Sequence, residues 1–193
     1  MPRWKPDAQQ RLVMSAFELF AERGYDGTTV SEIAARAGLT RSTFHRHFSD
    51  KRDILTAGQA ALGRLLAEGI AAAPAAATPM AAVASGLERA SAGMTAFNRE
   101  LSPLMRAAVE ANEELREREA LKSVGMARTM AEALGARGVP AAEAQVAAEL
   151  GVLAFKTAYG RWIETAHDEE PGGFPALAVA ALRELHEAAG RLA

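Results

Sequence analysis

The stretch from Thr28 to Phe48 constrains the fold of this chain more than any other. Thr29 is followed three residues on by Glu32, a capping box in which each side chain satisfies the other residue's free N–H at a helix start. Ile33 and Ala37 give that short helix an inner face, and Gly38 supplies the permissive backbone for a sharp turn plugged by Leu39. Thr40 then caps a second short helix, Arg41 to His47, in which Phe44 and Phe48 lie one turn apart on the core side. Arg41, Ser42, His45 and Arg46 are left on the outside. Two capped short helices around a glycine turn, the second with a polar outer strip, form a helix-turn-helix pattern.

The rest of the chain reads as helical throughout. Alanine is abundant and β-branched residues are sparse, so helix propensity is high and strand propensity low. The expectation is an all-α protein of about nine helices, with a three-helix helix-turn-helix unit over residues 1–52 and a larger helical bundle over 53–193. Periodicity predicts a first helix over Asp7–Arg23, ended by Gly24. A long linking helix is predicted from Lys51 or Arg52 to Ile70, burying Ile54, Leu55, Leu62, Leu65, Leu66 and Ile70. The prolines of Ala71–Pro79 mark a linker, followed by a helix over Met80–Phe97 and a short one near Pro103.

Asn112 opens a charged helix, with Glu113 and Glu114 in its first turn and a Glu114/Arg118 pair at i,i+4 spacing. Leu115, Leu121, Met126, Met130 and Leu134 are its expected inner positions. Gly135, Gly138 and Pro140 precede a long helix from Ala141 to about Ala166. That helix has one stripe of Val152, Phe155, Tyr159 and Trp162, and a neighbouring small-residue stripe of Ala147, Gly151, Ala154 and Ala158. A last helix carries Phe174, Leu177, Ala181, Leu185 and Leu192, and this amphipathic pair at the C-terminal end suggests a helical-bundle dimer interface.

Charge is unevenly placed. The net charge is −2, yet residues 1–52 hold nine Lys/Arg against six Asp/Glu, and the remainder thirteen against eighteen. The positive end is the one carrying the motif, which favours approach to a phosphate backbone. With no cysteine there is neither a disulfide framework nor thiolate metal ligation. No apolar h-region follows the N-terminal charges and no apolar run reaches about 18 residues, so a cytoplasmic protein without a membrane span is expected.

The helix-turn-helix stretch resembles the DNA-binding region of the TetR family of regulators. The resemblance rests on Phe20-Ala21-Glu22-Arg23-Gly24-Tyr25, Thr28-Thr29-Val30, Ile33-Ala34, Ala37-Gly38-Leu39-Thr40, Thr43-Phe44, Arg46-His47-Phe48 and Lys51. It covers roughly the first quarter to third of the chain. A weaker likeness to actinobacterial members runs through Asn112–Arg118, Arg137-Gly138-Val139-Pro140 and Arg161-Trp162. The resemblance implies that residues 53–193 form a ligand-binding and dimerisation domain, and that the protein is a homodimer, held through the two C-terminal helices, that binds a near-palindromic double-stranded operator and is released by a small-molecule effector. It implies no cofactor and no catalysis.

Carried over by position, Thr29 and Lys51 hold phosphates, and Arg41, Ser42 and Thr43 face bases, with Thr40, Arg46 and His47 beside them. His45 stands where the family commonly has tyrosine, and can donate to a phosphate. Arg3, Trp4 and Lys5 resemble the basic arm that often precedes the first helix. Met94, Phe97, Met105, Met126, Phe155, Tyr159 and Trp162 are candidate linings of an effector pocket, with ordinary core as the alternative. Asn98, Arg106 and Lys156 are polar groups able to orient a ligand if buried.

Other readings stay open. His45 and His47 are two apart and lack the spacing a helical zinc pair needs; His167-Asp168-Glu169-Glu170 holds ligand types but reads as a solvated acidic loop. An activator or a ligand-independent regulator fits the same scaffold. So does an all-α small-molecule carrier or enzyme retaining a remnant helix-turn-helix.

Overall fold

The computed structural model describes residues 7–56, 58–164 and 173–192. Within them lie ten helices and no strand: α1 (Ala8–Arg23), α2 (Val30–Arg36), α3 (Arg41–His47), α4 (Lys51–Thr56), α5 (Gln59–Ala72), α6 (Pro79–Ser91), α7 (Ala96–Ala111), α8 (Glu113–Ala136), α9 (Ala141–Glu164) and α10 (Gly173–Gly190). The all-α expectation holds. The arm Arg3-Trp4-Lys5, the acidic loop from His167 and the expected end of α9 at Ala166 lie outside the described residues.

Packing divides the chain into two compact units, one of Met1–Gly58 with Ala96–Glu119, the other of Gln59–Thr95 with Ala120–Ala193. The division expected after residue 52 therefore falls later here, and the first unit also takes in α7. Its core gathers Leu12, Ala16, Phe17, Leu19 and Phe20 of α1 with Ile33, Phe44, Phe48 and Ile54, and adds Phe97, Leu101 and Ala108 from α7 and Leu115 from α8. α7 packs along α1, which also meets α2, α3 and α4.

Several sequence expectations change. The linking helix is two helices, α4 and α5, separated at Gly58, whose φ of 83° is a backbone region glycine enters without penalty. Ile54, Leu66 and Ile70 are buried as expected, whereas Leu55, Leu62 and Leu65 are half-buried. The Pro/Ala stretch after α5 is an interhelix turn inside the second unit rather than a boundary, ended where Thr78 caps α6. α6 stops at Ser91, so Phe97 belongs to α7.

α7 runs straight through Pro103 for 16 residues. An interior proline disfavours a helix by about 3 kcal/mol, but here the buried face continues on both sides of it, through Phe97, Leu101 and Ala108. Leu121, expected inside, is 62 % exposed, and Leu192 lies beyond α10 at 89 % exposure.

The second unit is built by close approach. α5 packs on α6, and α6 on α9 and α10. A β-carbon at Gly69 would stand 2.5 Å from the Ser85 carbonyl oxygen and 2.7 Å from Gly86 Cα, so these two helices touch backbone to backbone. The small-residue stripe of α9 does what its composition suggests: Ala147, Gly151, Ala154 and Ala158 are all buried, with Gly151 against Val83 and Met130. The turn after α5 is closed by Arg137, whose guanidinium donates to the carbonyls of Ile70, Ala71, Ala73 and Pro74 at 2.6–3.3 Å.

Candidate nucleic-acid interface

α3 is a short helix fixed at both ends and from beneath. Thr40 caps it, its hydroxyl accepting from the Thr43 N–H at 3.1 Å and lying 3.0 Å from the Thr43 hydroxyl. Phe44 is fully buried and Phe48, 5 % exposed, stacks obliquely against it at 5.6 Å. With the aromatic side anchored, Arg41, Ser42, His45, Arg46 and His47 are exposed and Thr43 half-exposed. The Arg41 Nε donates to His45 Nε2 at 3.4 Å, so these two outward groups lean together along the helix. His45 also meets the Phe44 ring edge-on at 5.5 Å.

α2 is held by charge as well as by its core face. The capping box is formed as the sequence predicts. The Thr29 hydroxyl accepts from the Glu32 N–H at 3.3 Å, and the Glu32 carboxylate accepts from the Thr29 N–H at 2.9 Å and from its hydroxyl at 2.7 Å. Those bonds, the hydroxyl first, hold the Glu32 carboxyl below its ordinary range. At the other end of α2, Arg36 grips Glu22 of α1 through two bonds of 2.8 and 2.9 Å and reaches Glu18 at 3.5 Å. The bonded guanidinium lowers the pKa of Glu22, and Glu22 raises that of Arg36. Arg23 adds a further bridge to Glu32 at 3.1 Å.

Lys51 is engaged within the first unit. Its Nζ donates to the Tyr25 carbonyl at 2.7 Å and the Thr28 carbonyl at 3.1 Å, and sits 4.2 Å from the centre of the Tyr25 ring. It thereby ties the start of α4 to the loop that leads into Thr29. Two of the three ammonium hydrogens are so used, leaving one for another acceptor. Tyr25 itself is 2 % exposed, and burial, followed by the charge of Glu114, raises its phenol pKa. α4 is secured by Asp50, whose carboxylate accepts from the N–H groups of Arg52 and Asp53, and by Asp53, which accepts from the Ser49 N–H at 2.7 Å and from the Ser49 hydroxyl.

All nine residues carried over as DNA contacts thus lie on α3, at its cap, or at the starts of α2 and α4. The links that hold these elements to their neighbours were not foreseen: Arg36 to Glu22, Lys51 to two carbonyls, and Arg11 of α1 to the turn after α2. Only the first left a readable signal, two glutamates at i,i+4 spacing on α1 that need a cation. The candidate effector pocket fares differently. Phe97 and Met105 belong to the core of the first unit, whereas Met94, Met126, Phe155, Tyr159 and Trp162 belong to that of the second. Arg106 and Lys156 are exposed and Asn98 half-buried. Within the second unit Phe155, Tyr159, Trp162 and Phe174 form a continuous aromatic cluster, with ring centres 5.2–6.4 Å apart.

A capped recognition helix with a polar outer strip, seated on a helical core, defines a helix-turn-helix protein. The comparisons narrow the class. Residues 12–57 match the model of bacterial regulatory proteins of the tetR family. The HTH-type transcriptional repressor BepR of Brucella suis is 39% identical over 67 residues, which is 33% of this chain and 31% of that protein's length. The chain thus matches less than a third of this curated relative.

The solved structure of a putative TetR-family transcriptional regulator from Mesorhizobium loti superposes with a TM-score of 0.54 at 17% identity, covering 95% of this chain and 98% of that one. The multidrug binding protein EbrR, solved with malachite green, superposes at 0.51 with 21% identity, covering 93% and 98%. These likenesses show that the fold extends beyond the matched N-terminal region. Among the described residues no helix is long and apolar enough to cross a membrane.

Proposed function

We propose that this chain is a homodimeric, sequence-specific DNA-binding transcriptional regulator that represses in the cytoplasm until a small molecule releases it from its operator. The observation that carries this reading is the exposed strip of α3, held outward by the buried Phe44 and Phe48 and the Thr40 cap. Arg41, Ser42 and Thr43 read base edges, arginine pairing with the two acceptors of guanine. His45, Arg46 and His47 reach phosphates, together with Thr29 and the remaining hydrogen of Lys51. Thr29 meets a phosphate only as Glu32 gives up part of the capping box.

Dimerisation through α9 and α10 brings two such strips to successive major grooves about 34 Å apart. Support comes from Val146 and Leu153, seven residues apart on α9 and left 61 % and 48 % exposed in the single chain. The effector site is the aromatic cluster of the second unit with Met94 and Met126, and a ligand there shifts the DNA-competent population by a coupling of about 1–3 kcal/mol. The likeness to a repressor by name, and to a fold that holds malachite green, supports both halves.

The test is selection of sheared genomic DNA on the purified protein at near-physiological salt, with sequencing of what is retained. Enrichment of one near-palindromic site is expected. A folded dimer that enriches nothing removes the DNA-binding reading.

A further inference from the structure

The turn between α2 and α3 closes most of its backbone groups itself. The Leu39 N–H reaches the Ala34 carbonyl at 2.8 Å and the Gly38 N–H the Ala35 carbonyl at 3.0 Å, a Schellman pairing around Gly38 at φ 64°. What it does not close are the outward carbonyls of Ala37 and Gly38. Those two are met from another helix: Nη2 of Arg11 on α1 donates to the Ala37 carbonyl and lies 3.5 Å from that of Gly38. The guanidinium rests against the turn so closely that a β-carbon at Gly38 would come within 3.0 Å of it.

The anchor of this contact is rigid. Arg11 is itself at the surface, but its neighbours Leu12 and Val13 are buried in the core of the first unit, 0 % and 8 % exposed. Its positive charge also suits the negative end of α2. Two residues beyond Gly38 stands Thr40, the cap of the helix that bears Arg41 and Ser42.

We propose that Arg11 is a positioning residue for DNA recognition: by holding the Ala37 and Gly38 carbonyls to α1, it sets the angle at which α3 leaves the turn. This rests on the DNA-binding reading above. Its guanidinium is directed to the turn and not to a phosphate, so it contributes through the placement of Arg41, Ser42 and Thr43.

The experiment uses the full chain and the duplex retained in the selection. Arg11→Met is expected to lower affinity for that duplex about tenfold, to leave the slope of log affinity against log salt unchanged, and to speed amide exchange across residues 37–43. Arg11→Lys recovers part of the affinity, since one ammonium reaches the same carbonyls without the fork. If Arg11→Met does not fold, Arg11→Lys against wild type is read in the same three ways. A salt slope smaller by about one, with exchange in the turn unchanged, makes Arg11 a phosphate contact and overturns the proposal. So does wild-type affinity in Arg11→Met. A wild-type protein that retains no duplex overturns the DNA-binding reading first, which distinguishes the two failures.

Discussion

The two units of this chain solve the same problem, packing helices, by different means. In the first, the two helices of the motif are short: α2 and α3 have 7 residues each. A helix of that length leaves most of its end groups without intrahelical partners, so side chains from other helices close them. Arg11 does this for the Ala37 carbonyl, while Arg36 ties α2 to Glu22 of α1 and Lys51 ties α4 to the Tyr25 and Thr28 carbonyls. In the second, α9 has 24 residues, and the helices meet through missing side chains, at Gly69, Gly86 and Gly151. Each unit has an apolar core, to which the first adds polar links around its short helices and the second adds backbone-to-backbone approach. Perturbations that leave one untouched should therefore damage the other.

The largest expected effect tests the apolar core of the first unit. Phe44 anchors α3 in that core, and Phe44→Ala is expected to lower stability by about 3–5 kcal/mol in denaturant unfolding. It should also abolish retention of the selected duplex. A smaller loss would mean that the polar links alone hold α3.

Gly69→Ala probes the other unit. Its β-carbon meets backbone, which no rotamer change relieves, so a loss of about 1–3 kcal/mol is expected despite alanine's better helix propensity. Amide exchange should place that loss in α5 and α6 and spare α2 and α3. Lys51→Met removes two charge-assisted bonds to carbonyls, and a weakening of DNA binding by about 1.5 kcal/mol is expected. A salt slope reduced by about one would show that its remaining hydrogen meets a phosphate; an unchanged slope would make it a tether of the Thr29 loop only. Thr29→Ala opens the capping box and should cost about 1 kcal/mol, read as faster exchange at the start of α2.

The smallest effect is set by pH. Glu22, Glu32 and Asp53 all have folded-state pKa values below their ordinary ones. Their contribution is therefore fully present above the ordinary carboxylate range and is lost as pH falls through it to the depressed values. Acid should loosen α2 and the start of α4, with Glu32→Gln flattening part of that response. An α2 whose amide exchange is no faster in acid than at neutral pH would contradict it.

What was legible in the sequence follows the same line. The Thr29/Glu32 box, the Gly38 turn and the Thr40 cap are local, with partners three residues apart, and the bounds of α2 and α3 agree with them. The stripes of α9 were readable because they repeat along one helix. Contacts between distant residues left little trace: nothing near Arg11 points to residue 37, and nothing near Arg137 points to the turn after α5. Pro103 misled because a local cost was read without the packing of α7 on α1 that offsets it. Phe97 and Met105 were grouped with the other pocket candidates by residue type alone, and type does not say which core a side chain enters.

The first unit is not one continuous piece of chain. Because α7 covers α1, a protein cut after Gly58 would leave a face of α1 bare, apolar and prone to association. The same order matters during synthesis. The helix-turn-helix end is translated first, yet it cannot complete its core until Leu115 has left the ribosome, by which time α5 and α6 of the other unit have already emerged. A helix-turn-helix unit of this design cannot be moved between proteins as an N-terminal cassette of 58 residues. Its transferable form includes the segment that returns some forty residues later.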